Sequence, residues 1–272
     1  MVKETIAFSV RGASHIRSQK ECQDRCCHYH IAENCDIITI SDGHGSDACP
    51  YSAKGAEYAV AVFCERMVEY YKHYKDDLRG LCDFLSEDGD LRVAKEIDKR
   101  WKAKVLDWNR KHGAIKPVDK NGKEDVAAVY KMYGCTLLGM VVTDEFVYAF
   151  QLGDGDIMFV SDGKATPIID ADKILGVETY SLSKKDSWKK AISIVAGVPS
   201  EDLKPYLYMI SSDGLANSYS TDEDFEETCV GYWNMIKENG VDVVKENFAK
   251  WLFETSSEGC GDDISVVITY CD

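Results

Sequence analysis

Apolar and polar positions along the chain change period in blocks. Residues 4–10 (ETIAFSV), 26–32 and 35–41 (CDIITIS) are short runs rich in apolar and β-branched residues, bounded by polar turns, and read as strands. From Ala56 the period lengthens: Val60, Phe63, Met67, Tyr70 and Tyr74 recur every three or four residues and share one face of a long helix. Ala94, Ile97, Trp101, Val105 and Trp108 mark a second such helix, and both stripes read as core packing. Residues 113–131 are polar and broken by Gly and Pro, which predicts a surface connection; its DKNG reads as a turn, since a calcium loop needs a further acidic ligand.

Four strand-like runs follow (YGCTLLGMVVT, EFVYAFQLG, DIMFVS and KATPIID), separated by turn formers and read as an antiparallel meander. Residues 170–204 lack clear periodicity and read as an irregular flap. YLYMISS is a buried strand, Thr221 with Asp222, Glu223 and Asp224 opens a helix by capping, and Val244, Phe248 and Trp251 continue the helical section. ISVVITY is the final strand. Runs of strands alternating with runs of helices predict an α+β layered fold with antiparallel sheets, not a βαβ alternation.

Composition narrows the function. With 272 residues, 45% of them hydrophobic, the chain fits one domain spanning 1–272 with a sizeable core. A formal charge of -15 opposes nucleic acid and anionic membrane as partners, and no apolar run is long enough to span a bilayer. Eleven cysteines scattered over a chain this large suit free thiols in a cytoplasmic protein. Cys22, Cys26, Cys27, His28 and His30 cluster in sequence, but the spacing lacks the second ligand pair of a structural zinc site.

The chemistry lies in aspartates at strand ends. IITISDGHGS carries Asp42, YAFQLGDGDI Asp154, LYMISSDGLA Asp213, and GCGDDISVVI Asp262 and Asp263. Asp-Gly alone is a turn signal, and Asp88–Gly89 and Asp162–Gly163 are read as turns only. Several rigidly held carboxylates converging at one place would repel one another unless cations intervene, and hard oxygen donors select magnesium, manganese or calcium. No Ser-His-Asp or Cys-His pattern and no phosphate-binding glycine loop competes.

In order, QD (Gln23, Asp24), DGHG (Asp42 to Gly45), GCT (Gly134 to Thr136), GDGD (Gly153 to Asp156), SDGL (Ser212 to Leu215) and GDDIS (Gly261 to Ser265) resemble the motifs of the protein phosphatase 2C family, in its bacterial-type branch. The resemblance implies a central antiparallel β-sandwich flanked by helix pairs. It implies two core manganese or magnesium ions, with Asp42 bridging them, the Gly43 carbonyl beside it, and Asp213 and Asp262 completing the first ion's shell. Asp154 matches the ligand of a third, weaker ion, Asp24 an acidic residue behind the ligands, and His44 a histidine that protonates the leaving group. Asp263 stands where Asn is commoner, and Gln23 where many relatives carry Glu. The phosphate-gripping arginine has no equivalent at its usual place; Arg17 is the nearest candidate.

The expected function is therefore hydrolysis of phosphoserine or phosphothreonine on a protein by a metal-bridged hydroxide attacking phosphorus, in a bacterial-type, monomeric signalling enzyme. A catalytically inactive phosphoprotein-binding scaffold is the alternative from another class. A metal-dependent nuclease is a third, disfavoured by the acidic surface.

Overall fold

The computed structural model describes residues 3–75, 77–87, 89–170 and 180–272. Ten strands are present among them: β1 Lys3–Val10, β2 Arg25–Ala32, β3 Cys35–Ser41, β4 Leu137–Thr143, β5 Phe146–Leu152, β6 Asp156–Ser161, β7 Lys164–Pro167, β8 Ile192–Gly197, β9 Tyr206–Ser211 and β10 Ile264–Cys271. The helices are α1 Ala13–Arg17, α2 Ser52–Tyr74, α3 Leu78–Glu87, α4 Gly89–His112, α5 Val126–Lys131, α6 Asp213–Ala216, α7 Asp222–Asn239 and α8 Val241–Glu258.

The strands form two five-stranded sheets in the orders β1-β10-β9-β6-β7 and β2-β3-β4-β5-β8, with every neighbouring pair antiparallel. Strand alternation explains the layering. Ile38 and Ile40 of β3, Leu138 and Met140 of β4, and Tyr208 and Ile210 of β9 meet between the sheets. Their sequence neighbours point the other way. Ile37, Val141 and Phe150 pack under Phe63, Ile97 and Trp101 of α2 and α4. On the opposite side Met209, Val266 and Ile268 pack under Trp233, Val244 and Phe248 of α7 and α8. The result is the expected α-β-β-α arrangement, and the central strands read as continuous apolar runs because both faces are covered.

Three expectations change. The four runs from 137 to 167 are strands, but not one meander: β4 pairs with β5 and β6 with β7, in different sheets. The chain crosses between sheets at 153–155, where Gly153 takes φ +135° against Thr136. The 113–131 connection ends in α5, capped by the Asp125 carboxylate, which accepts the Ala128 N–H at 3.0 Å. Within the 170–204 flap, residues 171–179 lie outside the described residues, and the remainder includes β8, which extends a sheet beside β5. Three helices, α1, α3 and the one-turn α6, had no counterpart in the sequence reading. DKNG is the turn expected, with Asp119 accepting the Asn121 and Lys123 N–H groups at 2.8 and 2.9 Å. Asp162 turns the β6–β7 hairpin at φ 49°, and Gly89 opens α4; Asp88 lies outside the described residues.

Candidate active site

Sheet register places the motif segments together. Val10 at the end of β1 pairs with Ile264 at the start of β10, Asp156 at the start of β6 pairs with Ser211 at the end of β9, and Arg25 pairs with Ser41. Segments 11–24, 42–51, 132–136, 153–155, 212–213 and 260–263 therefore leave the sandwich at one end. That end holds a cleft of about 380 Å³ lined by Asp42, Gly43, His44, Asp154, Asp213 and Asp262. Among the lining residues are also Lys131, Ser183 and Lys184.

Backbone stitching fixes the floor. The Thr136 N–H donates to the Asp42 carbonyl at 2.8 Å, the Thr136 hydroxyl accepts the Asp42 N–H at 2.9 Å, and the His44 N–H donates to the Gly134 carbonyl at 3.0 Å. These bonds explain why GCT accompanies DGHG. A Cβ at position 134 would lie 2.5 Å from His44 Cδ2, so glycine there leaves room for the imidazole. A Cβ on Gly43 would meet the Gln23 carbonyl at 2.7 Å, which ties the QD segment to the same floor.

Asp263 is a clamp. It is 3% exposed, and its carboxylate accepts the Gly12 N–H at 2.7 Å and the Gln23 N–H at 2.6 Å. His15 Nδ1 lies 2.9 Å from the same carboxylate. The N-terminal segment is thus held against the β10 end, which leaves Asp262 facing the cleft. Gln23 donates from Nε2 to the Ser52 hydroxyl at 2.8 Å, while its buried Oε1 has no hydrogen-bond partner among the described residues.

The carboxylates are under electrostatic stress. Burial, then the charges of Asp263, Asp213 and Asp262, push the Asp24 carboxyl up to about 8 against a hydrogen bond from Ser212. Burial, then Asp24 and Asp213, hold Asp42 well above the ordinary carboxylate range. Asp213 is pushed up to about 6 by burial, then Asp154, with Asp262 and Asp156 adding to it, against a hydrogen bond with Asp42. Two acidic side chains that share a hydrogen bond share a proton, which a divalent cation would replace. Asp24 Oδ2 is buried without a hydrogen-bond partner among the described residues. Among those residues no three His, Cys, Asp or Glu side chains close on one point as a ready metal cage. The donor set nevertheless fits a hard divalent cation: oxygen ligands, mutual repulsion in need of neutralisation, and an open face.

One candidate from the sequence, Arg17, falls outside this cluster. Arg17 is exposed, does not line the cleft, and approaches only its margin, with its guanidinium 3.5 Å from where a Cβ on Gly261 would stand. Lys131 at the end of α5 and Lys184 are the cations that line the cleft instead. Lys131 was hidden because its helix read as a connection, and Lys184 because the flap carried no periodicity. The histidines beside the cysteine group point elsewhere: His28 Nε2 and His30 Nδ1 each lie 2.9 Å from Asp36 Oδ1, while Cys27 packs against the core that holds Cys64.

The chain is thus a helix-flanked antiparallel sandwich with aspartates gathered at one end. The sequence profile of the protein phosphatase 2C family matches residues 11–253, and the chain belongs to that family. Its fold is similar to that of the Streptococcus agalactiae serine/threonine phosphatase, at 13% identity and TM-score 0.63 with 100% of both chains covered. The catalytic domain of the serine/threonine phosphatase PstP, in complex with two manganese ions, is similar at 16% identity and TM-score 0.56, covering 100% of this chain and 99% of that one. Staphylococcus aureus Stp1 is similar at 12% identity and TM-score 0.63, covering 100% and 96%. No curated protein sequence matches the chain. Among the described residues no helix is long and apolar enough to cross a membrane.

Proposed function

We propose that the chain is a metal-dependent phosphatase acting on phosphoserine or phosphothreonine in proteins, with the end-of-sandwich cleft as its active site. The observation that carries this reading is the set of stressed carboxylates, Asp42, Asp213 and Asp24, in and behind one open cleft of a protein phosphatase 2C chain. Asp42, the Gly43 carbonyl, Asp213 and Asp262 would hold two manganese or magnesium ions, and Asp154 a third. Bound there, the cations would supply an activated hydroxide at neutral pH and counter the charge of the phosphoryl oxygens. The manganese-loaded PstP domain of the same fold supports this choice of ion.

The protein's own groups account for the rest. His44, on the cleft wall, hands a proton to the departing serine or threonine oxygen, a task that suits an imidazole. Lys131 and Lys184 offer positive charge to a phosphoryl group in the cleft, the service for which Arg17 was the nearest candidate in the sequence. Asp263 and Asp24 act from behind, the first by fixing Gly12 and Gln23.

Phosphate release from a phosphothreonine peptide and from an oligonucleotide, each with manganese, separates the readings. The phosphatase reading expects turnover of the peptide alone. Turnover of the oligonucleotide would favour the nuclease, and peptide binding without any turnover the scaffold.

A further inference from the structure

Four of the seven residues 184–190 (KKDSWKK) are lysines, on a chain of net charge -15. The segment leaves the cleft at Lys184 and forms a short 3-10 helix, Ser187–Lys190. It is pinned to α4: the Ser187 hydroxyl donates to Asp98 at 2.7 Å, and Lys102 Nζ donates to Asp98 at 2.7 Å and to the Lys184 carbonyl at 3.0 Å. Ser187 and Asp98 are buried, so the lysines stand on a fixed ridge.

Beyond the ridge lies a second groove, of about 730 Å³, where Trp188 meets Leu91, Arg92, Lys95 and Lys99 of α4. Lys95 and Lys189 lie 5.5 and 5.3 Å from the Trp188 ring centroid, and Leu91 is 57% exposed. Glu87 and Glu96 also line the groove. Glu96 is occupied by Arg66, by Arg92 at 3.3 Å and by the Tyr70 hydroxyl at 2.7 Å, and Lys189 pairs with Asp186 at 3.3 Å, which leaves Lys95 and Lys99 as the cations of the groove beside the carboxylate of Glu87. Among the described residues neither Lys95 nor Lys99 pairs with a carboxylate.

We propose that this basic ridge and its tryptophan groove dock an acidic, extended peptide segment of the phosphoprotein, with one apolar side chain seated against Leu91 and Trp188. The inference rests on the phosphatase reading, since it orders the substrate around the same cleft. Charge complementarity selects the occupant. An acidic chain is repelled by the mean field of this protein, and the ridge is where that repulsion reverses beside the cleft. Lys184 and Trp188 are four residues apart, at most roughly 14 Å, which an extended peptide spans in about four residues. The apolar anchor therefore falls a few residues from the phosphorylated one.

The test compares two phosphopeptides, one with Asp and Glu flanking the phosphorylated residue and a Leu in the flank, the other with Lys in place of each acid. A small aryl phosphate, which reaches only the cleft, reports the chemistry. Binding of the labelled peptides is read by fluorescence anisotropy and so does not depend on turnover. We expect wild type to favour the acidic peptide about tenfold in Kd and in KM, with the preference shrinking as salt rises. Lys95→Glu/Lys99→Glu/Lys189→Glu abolishes that preference, the corresponding Lys→Gln variant reduces it, and both keep aryl phosphate turnover. Equal binding of the two peptides by wild type overturns the docking surface while leaving the phosphatase reading intact. Equal loss on aryl phosphate in the Lys→Gln variant, or competition by an oligonucleotide as strong as by the acidic peptide, overturns it as well. Selective binding of the acidic peptide with no turnover of any substrate would uphold the docking surface and sink the phosphatase reading.

Discussion

His44 shows how a single side chain is positioned by backbone rather than by side-chain partners alone. Its N–H is tied to the Gly134 carbonyl at 3.0 Å, and the absence of a Cβ at position 134 gives the ring its place on the cleft wall. A proton donor matters most when the leaving oxygen is a poor leaving group. His44→Ala should therefore lower kcat on a phosphoserine peptide by about 10²-fold while leaving an aryl phosphate, whose leaving group needs no proton, nearly unaffected. Steady-state kinetics on the two substrates checks this. Equal loss on both would assign the histidine to the structure of the cleft instead.

At the scale of elements, legibility followed how local the determining physics was. The α2 and α4 stripes were visible because a helix that buries one face must repeat every three or four residues, and Phe63 and Trp101 are fully buried as that pattern requires. Thr221 announced α7 through its side chain, which accepts the Asp224 N–H at 3.1 Å. Strands β4 to β7 were equally visible, but their division between two sheets was not: a turn former between strands does not say whether the chain folds back or crosses over. Helix α5 stayed hidden because its six residues are too few to show a period. The aspartate cluster was legible as residue types at strand ends, and the resemblance supplied their roles. Lys131 and Lys184 reach the cleft through the packing of α5 and the flap, which no local pattern encodes.

At the scale of the whole molecule, the sandwich gathers repelling carboxylates at one end, and this carries a cost in stability. Asp24 at about 8 and Asp213 at about 6 hold protons in the folded chain that an unfolded Asp, near about 3.9, has already released. Between those values the folded state binds more protons than the unfolded one, so stability falls as pH rises. In chelator, thermal unfolding should show a higher Tm at pH 5 than at pH 8, and manganese should raise Tm more at pH 8, where protons no longer neutralise the cluster. A metal-free Tm that climbs steadily from pH 5 to pH 8 would contradict the stressed cluster.

The most direct measurement is phosphate release from a phosphothreonine peptide by wild type with manganese, by wild type in chelator, and by Asp42→Ala and Asp213→Ala with manganese. The account predicts turnover in the first case and a loss of several orders of magnitude in the other three. Undiminished turnover in chelator, or in either aspartate variant, would contradict it.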